Sequence, residues 1–177
     1  CECGEKDPNY VAPDVPVVAG VAELTVTSLG IGDQKYEAKT ATVNGIGFEY
    51  IQLGNYGNGI QMRDKDGKTS FLWNTSAFGK GITKIELVFN SAKSTYDNPN
   101  AVIFSFGNAA DSLTSITNFS TVAGTYNYTV TPDAGTYTFF KLEYNYKNSA
   151  YWASITIYFE GDSGEVTPPA CEHSWSD

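Results

Sequence analysis

The chain has 177 residues, a formal net charge of −9, three cysteines and one histidine. This length suits one domain with tails, and a domain of that size buries enough surface to fold without a disulfide or a metal. Residues 1–20 carry −3 and residues 160–177 carry −5, which leaves −1 for the body between them. A body without a basic cluster argues against nucleic-acid binding, and no apolar stretch reaches the roughly 18 residues of a membrane span.

The first 20 residues are interpreted as a linker that ends an upstream unit. They contain Cys1 and Cys3, together with prolines that favour an extended spacer. Cys1 also fits the lipidated first residue of a mature bacterial lipoprotein, with the acidic segment as its tether. Both interpretations predict an extracellular or cell-surface location.

The body, residues 21–160, is predicted to be an all-β domain of about ten strands. Apolar and polar residues alternate at 24–28 and again at 36–43. Asn44-Gly45 then gives the strongest short signal of a β-hairpin, and residues 46–53 supply its second strand. A loop rich in glycine and asparagine follows before the alternation resumes.

The second part of the body continues the alternation without helical periodicity. In the last predicted strand the odd positions from 151 to 159 form the buried face, so Trp152 falls on the polar face. Successive strands without helical crossovers favour an antiparallel β-sandwich, and its size and long loops favour a jelly roll. The further predicted strands lie at residues 60–63, 69–73, 84–89, 102–106, 126–130, 140–144 and 151–159.

Short motifs in the tails and in the body resemble parts of large secreted and cell-surface proteins of gut Firmicutes. Cys1-Glu2-Cys3-Gly4 and Cys171-Glu172-His173-Ser174-Trp175 resemble the end and the beginning of small Cys/His/Trp repeats. Thr42-Val43-Asn44-Gly45, the loop leading to Arg63 and Gly81-Ile82-Thr83-Lys84-Ile85 resemble β-sandwich modules of such proteins. The resemblance implies a monomeric domain within a longer chain. Residues 161–177 are then a linker and the start of the next repeat.

The body contains neither cysteine nor histidine, which bears on catalysis. This composition excludes Ser–His and Cys–His nucleophile pairs and metals held by histidine. Glycoside hydrolysis needs only two carboxylates, and Glu49, Glu86 and Glu143 are predicted at mid-strand positions. Most other acidic residues fall in turns or on outward positions, so we expect no enzyme activity and no cofactor. A structural calcium ion stays open as an addition to the fold.

A neutral body surface rich in Tyr, Asn, Thr and Gly favours a glycan as ligand. Exposed aromatic rings can stack on the apolar faces of sugar rings, while amide, carboxylate and guanidinium groups bond the hydroxyls. Two alternatives stay open: a structural spacer whose aromatic residues are buried, and a hydrolase with paired carboxylates. The predicted ligand-binding residues are Tyr56, Asn58, Arg63, Trp73, Tyr96, Asp97 and Trp152.

Overall fold

The structure, a computed structural model, describes residues 19–160 except 34–35, 58, 91–100, 117–119, 123–126 and 133–135. The predictions on Cys1, Cys3, Cys171 and His173 lie outside these residues. Within them the chain forms strands and no helix, so none of the described segments is an apolar helix of membrane-spanning length. All pairings between the named strands are antiparallel, and the predicted all-β antiparallel class is confirmed.

The described residues form twelve strands, two more than the sequence predicts. Residues 19–24, 112–116 and 120–122 form strands that were not predicted. The strand predicted at residues 24–28 is wrong, because Thr25 and Ser28 donate backbone N–H groups to each other's hydroxyls and close a turn there. The strands are β1 (Ala19–Leu24), β2 (Glu37–Val43), β3 (Ile46–Tyr56), β4 (Gly59–Met62), β5 (Ser70–Asn74), β6 (Gly81–Phe89), β7 (Val102–Ala109), β8 (Ser112–Ile116), β9 (Ser120–Val122), β10 (Asn127–Val130), β11 (Phe139–Tyr144) and β12 (Ala150–Glu160).

Eight of these strands have the order of a jelly roll. One group of four runs β1-β12-β6-β10, and the other runs β5-β11-β7-β8. The first strand therefore lies beside the last, and consecutive strands of the eight alternate between the two groups, except that β7 and β8 pair with each other, as in a doubly wound Greek key. Strands β2, β3 and β4 are inserted after β1 and join the two groups.

Two tight turns occur in the first half. The Asn-Gly hairpin forms as the sequence predicts. The second turn does not close a hairpin between the strands predicted at 60–63 and 69–73, because β4 pairs with β3 and β12 whereas β5 pairs with β3 and β11. Asn44 and Gly45 have φ angles of 50° and 80°, and Asp66 and Gly67 have φ angles of 58° and 74°. Positive φ at both central residues is the geometry that matches the right-handed twist of hairpin strands, and Asn-Gly and Asp-Gly adopt it readily. The first turn joins β2 to β3, and the second lies in the connection from β4 to β5.

Strand β3 joins the two groups because it changes partner along its length. Residues 48–51 pair with β5, whereas residues 53–56 pair with β4. Between them Gln52 has a φ of 59°, and β3 gains one residue relative to β2 at this point. This β-bulge reverses the alternation of the strand, so that Tyr50 and Leu53, three positions apart, are both buried. Hydrogen bonding is thereby continuous through all twelve strands, and the sheet curls into a half-barrel.

Aromatic side chains fill the space between the two groups of strands. The ring of Phe78 lies 6.0 Å from that of Phe48, 6.2 Å from that of Phe140 and 4.9 Å from that of Phe159, measured between centroids. Phe140 belongs to one group of strands, Phe48 lies on the part of β3 that pairs with that group, and Phe159 belongs to the other group. Phe78 therefore packs against both groups of strands and helps to hold them together. Buried aromatic pairs contribute to stability beyond the apolar area that they bury.

Asn74, at the end of β5, is a buried polar residue that joins three segments. It is 1% exposed. Its Nδ2 donates to the carbonyls of Ser76 at 2.8 Å and Thr138 at 3.0 Å, and its Oδ1 accepts the backbone N–H of Phe140 at 2.8 Å. These bonds hold the end of β5 in register with the start of β11.

We predict that Asn74→Ala destabilises the domain by about 1–3 kcal/mol, because the buried N–H of Phe140 loses its acceptor and the carbonyls of Ser76 and Thr138 each lose a donor. Urea unfolding of the variant measures the effect. Asn145→Ala is the matched control: its side chain is exposed, and the substitution should change stability by no more than about 0.5 kcal/mol. Equal midpoints for the two variants would contradict this role of Asn74.

Candidate functional site

The structure separates the seven predicted ligand-binding residues. Asn58, Tyr96 and Asp97 lie outside the described residues. Trp152 is fully buried, and its ring lies 5.9 Å from that of Phe89 in the core. The other three, Tyr56, Arg63 and Trp73, belong to two different surfaces.

The placement of Trp152 on a polar face is wrong because of a second β-bulge. Between Trp152 and Ser154 strand β12 advances by two residues while its neighbour β6 advances by one. The extra residue reverses the alternation, so Trp152 and Ile155 both face the core and Ala153 is exposed. A buried indole cannot stack on a ligand, and Trp152 is therefore a core residue.

Trp73 lies on the solvent-facing side of β3, β5 and β11. Register places Trp73 between Glu49 and Lys141, and in the next row it places Phe71 between Ile51 and Glu143. The residues between these rows, Tyr50, Leu72 and Leu142, are buried in the core, so alternation directs both rows outward. We call the cleft on this surface the Trp73 groove. It has a volume of about 300 Å³ and is lined by Ile51, Phe71, Trp73, Ala110, Leu113 and Lys141.

The groove combines an apolar floor with charged groups at its border. The Lys141 ammonium lies 4.1 Å from the centroid of the Phe71 ring and 3.9 Å from the Glu143 carboxylate. Both charged side chains keep about a third of their surface exposed, at 35% and 28%. An ion pair in that setting contributes little to stability, so its donors and acceptors can be exchanged for those of a ligand at low cost. The groove can therefore hold a flat apolar face while it bonds hydroxyl groups at the edge.

Tyr56 and Arg63 belong to a second surface, on β4 and the adjoining ends of β3 and β12. Tyr36 lies across the backbone of Gly54, where an added Cβ would approach its ring within 3.1 Å. The ring of Tyr56, which is 42% exposed, lies 5.5 Å from that of Tyr151. We call this surface the tyrosine cluster. Its members are Tyr36, Tyr56, Gln61, Arg63, Lys65 and Tyr151.

Gln61 organises the tyrosine cluster. Its side-chain carbonyl accepts a hydrogen bond of 2.6 Å from the Tyr36 hydroxyl. Its amide nitrogen donates to the hydroxyls of Ser149 at 2.8 Å and Tyr151 at 3.1 Å. Burial raises the pKa of Tyr36, while the neighbouring Arg63 guanidinium acts in the opposite direction. The cluster is therefore a bonded, neutral tyrosine platform with a cation beside it.

The three mid-strand glutamates do not converge on one pocket. Glu86 lies on β6, whereas Glu49 and Glu143 lie on β3 and β11. The latter two are offset by two strands and two residues, so strand spacing and rise place their Cα atoms about 12 Å apart. Glycosidases hold their carboxyl groups about 5 to 9.5 Å apart. This separation, and the ion pair of Glu143 with Lys141, favour solvated carboxylates over a catalytic pair.

Among the residues that the structure describes, no group of three or more His, Cys, Asp or Glu side chains is placed to hold a metal ion. The expectations of no cofactor and of an optional structural calcium ion stay predictions. The chain matches no known protein-family model, and no curated protein shows significant similarity to it. The Trp73 groove and the tyrosine cluster are the observations that bear on function.

Besides Trp73, the two surfaces contain residues that were not among the predicted ligand-binding residues, and only some of them have a signal in the sequence. Phe71 and Trp73 flank a buried Leu72, and this alternation alone predicts that both rings lie on one face. Lys141 and Glu143 alternate with the apolar residues 140, 142 and 144, and this pattern predicts that both point outward. Tyr36 and Gln61 carry no comparable local signal, because they meet across 25 residues of chain.

The contact between Glu86 and Tyr158 depends on pH, and it indicates that the Glu86 carboxylate has a structural role. The Tyr158 hydroxyl donates to its carboxylate at 2.7 Å, and this bond lowers the pKa of Glu86, with a further contribution from Lys84 at 3.0 Å. The same bond raises the pKa of Tyr158. A lowered folded-state pKa stabilises the fold above the unfolded-state value near 4.5, and this stabilisation is lost as the pH falls through the folded-state pKa.

We predict that Tyr158→Phe raises the pKa of Glu86 toward its ordinary value, because the main hydrogen bond to the ionised form is removed. NMR titration of the glutamate side-chain carboxyl carbons measures the shift. Tyr137→Phe, which alters a tyrosine packed on Phe106, is the control and should leave the titration unchanged. A Glu86 midpoint that stays the same in Tyr158→Phe would refute this account of the contact.

Proposed function

We propose that this domain is a non-catalytic, carbohydrate-binding or adhesive module of a multidomain bacterial surface protein, and that the Trp73 groove is its binding face. The observation that supports the proposal is the pairing of two half-buried aromatic rings, Phe71 and Trp73, with charged groups on a solvent-facing sheet. A solvent-facing position is not needed to fill the core, because side chains on the other face of the same strands already fill it.

The chemistry of the groove matches that of a neutral sugar. Sugar rings present apolar C–H faces that stack on an indole, and Glu49, Lys141 and Glu143 border the groove with acceptors and donors for hydroxyl groups. A volume of about 300 Å³ is at the lower end for small-molecule pockets, which suits part of an extended chain more than an engulfed ligand.

The location outside the cell is part of the same proposal. It is supported by the tail motifs that resemble surface-protein repeats. A body of net charge −1 between acidic tails also suits a domain that meets neutral polysaccharide. We expect the polysaccharide ligand to lie outside the bacterium, on plant fibre or mucin.

A structural spacer is the second candidate. It is favoured by the burial of the largest aromatic side chains, since Trp152, Tyr50 and Tyr144 are almost fully enclosed in the core. A spacer needs no binding face, and its surface aromatic residues could be replaced without consequence. The two candidates therefore differ in what Trp73 does.

We predict that Trp73→Ala lowers by at least tenfold the affinity for any neutral polysaccharide that the unmodified chain binds, because the substitution removes the stacking surface of the groove. A tenfold loss corresponds to about 1.4 kcal/mol of binding free energy. A glycan array with plant and mucin polysaccharides, followed by calorimetry on the full chain, measures the loss. Tyr56→Ala removes an aromatic ring of the other surface and is the matched control, expected to bind within about twofold of the unmodified chain.

Circular dichroism and urea unfolding establish that both variants are folded before binding is compared. If the folded protein binds none of the polysaccharides on the array, the result supports the structural spacer. Binding that survives in Trp73→Ala and disappears in Tyr56→Ala would reject the groove as the binding face.

A further inference from the structure

The tyrosine cluster holds two positive charges on one aromatic ring. The Arg63 guanidinium carbon lies 5.7 Å from the centroid of the Tyr36 ring, and the Lys65 ammonium lies 4.4 Å from it. Both distances are within the range in which a cation is attracted to the face of an aromatic ring. Tyr36 therefore holds two like charges close together, although they repel each other.

Neither cation is neutralised within the part of the chain that the structure describes. The ion pairs found there involve Lys39, Lys84 and Lys141, and no described carboxylate lies within ion-pair distance of Arg63 or Lys65. The Nε atom of Arg63 is buried and has no hydrogen-bond partner among the described residues. A buried guanidinium N–H without an acceptor is unfavourable, and an anionic oxygen would relieve it.

An aromatic surface for a sugar ring lies in the same cluster. Tyr56 is 42% exposed, and its ring packs on Tyr151, whose hydroxyl is bonded to Gln61. Because Gln61 also holds Tyr36, the support of Tyr56 and the ring beneath the two cations are linked through one buried amide. The platform and the charges are thus held in a fixed relation before any ligand binds.

The charge of the whole chain makes this local arrangement specific. The body carries a net charge of −1 between acidic tails, so an anionic polymer gains little from non-specific attraction. Only a local site with unpaired cations can retain it.

We propose that the tyrosine cluster binds an anionic saccharide, with Arg63 and Lys65 at the carboxylate or sulfate group and Tyr56 against the sugar ring. The Arg63 guanidinium fork suits the two-oxygen geometry of either anion. This site is separate from the Trp73 groove, so the domain would hold neutral and acidic sugars on different surfaces.

Two matched pairs of polymers test the site on the full chain. Polygalacturonate is compared with its methyl-esterified form, and dextran sulfate is compared with dextran, by calorimetry at low and moderate salt. We expect an acidic polymer to bind and its uncharged counterpart to bind at least tenfold more weakly. Binding of polygalacturonate alone identifies a carboxylate ligand, and binding of dextran sulfate alone identifies a sulfate ligand.

Lys65→Ala is the diagnostic variant, and Lys68→Ala is its control. Both remove one positive charge from the same hairpin, but Lys68 is exposed and lies in no ring contact with Tyr36. We expect Lys65→Ala to lower affinity for the acidic polymer at least fivefold and Lys68→Ala to lower it less than twofold. Tyr56→Ala should weaken binding as well, because the sugar ring loses its platform.

Equal losses in Lys65→Ala and Lys68→Ala would overturn the proposal, since they would show attraction to the hairpin charge alone. Failure of both acidic polymers to bind the folded chain would overturn it too. Trp73→Ala keeps this result apart from the proposed function: it should abolish retention of neutral polysaccharide and leave binding of the acidic polymer unchanged.

Discussion

Both candidate surfaces depend on a single extra residue in strand β3. A strand with perfect alternation would carry the same face outward along its whole length and would stay in one group of strands. The bulge at Gln52 bends β3 and reverses its alternation. The first half therefore sends Glu49 and Ile51 outward beside β5, while the second half places Gly54 against the Tyr36 ring and exposes Tyr56 beside β4. The Trp73 groove and the tyrosine cluster are therefore built on the two halves of one strand.

The same device in β12 decides which aromatic residues are available to a ligand. The bulge between Trp152 and Ser154 turns the largest side chain of the strand into the core, where it packs on Phe89. Tyr151 then lies on the other side, where it supports Tyr56. On β5, which has no bulge against its neighbours, Phe71 and Trp73 keep their alternation and stay at the surface. Bulges thus decide which aromatic residues lie in the core and which lie at the surface.

Local pattern was sufficient for most strands and for both tight turns, because alternation and Asn-Gly or Asp-Gly are properties of neighbouring residues. Phe140, Leu142 and Tyr144 are buried as alternation predicts. The bulges were not predictable in this way, since an extra residue becomes visible only when the partner strand is known; the error on Trp152 follows directly. The tyrosine cluster was out of reach for the same reason: Gln61 meets Tyr36 and Tyr151 across 25 and 90 residues. Tyr56 and Arg63 were predicted as ligand-binding residues from the composition of the loop that leads to Arg63. The residues that position their side chains were not predicted.

The indole N–H signals of the chain's tryptophans report the binding face most directly. In a ¹⁵N-labelled chain titrated with neutral oligosaccharides from plant and mucin polysaccharides, the Trp73 signal should move with the bound fraction, since its ring forms the floor of the groove. The Trp152 signal should stay in place, since its ring is enclosed in the core. The chain has three tryptophans, and Trp73→Phe and Trp175→Phe together assign the three indole signals. Saturable binding that leaves the Trp73 signal unchanged would contradict the Trp73 groove as the site of sugar recognition.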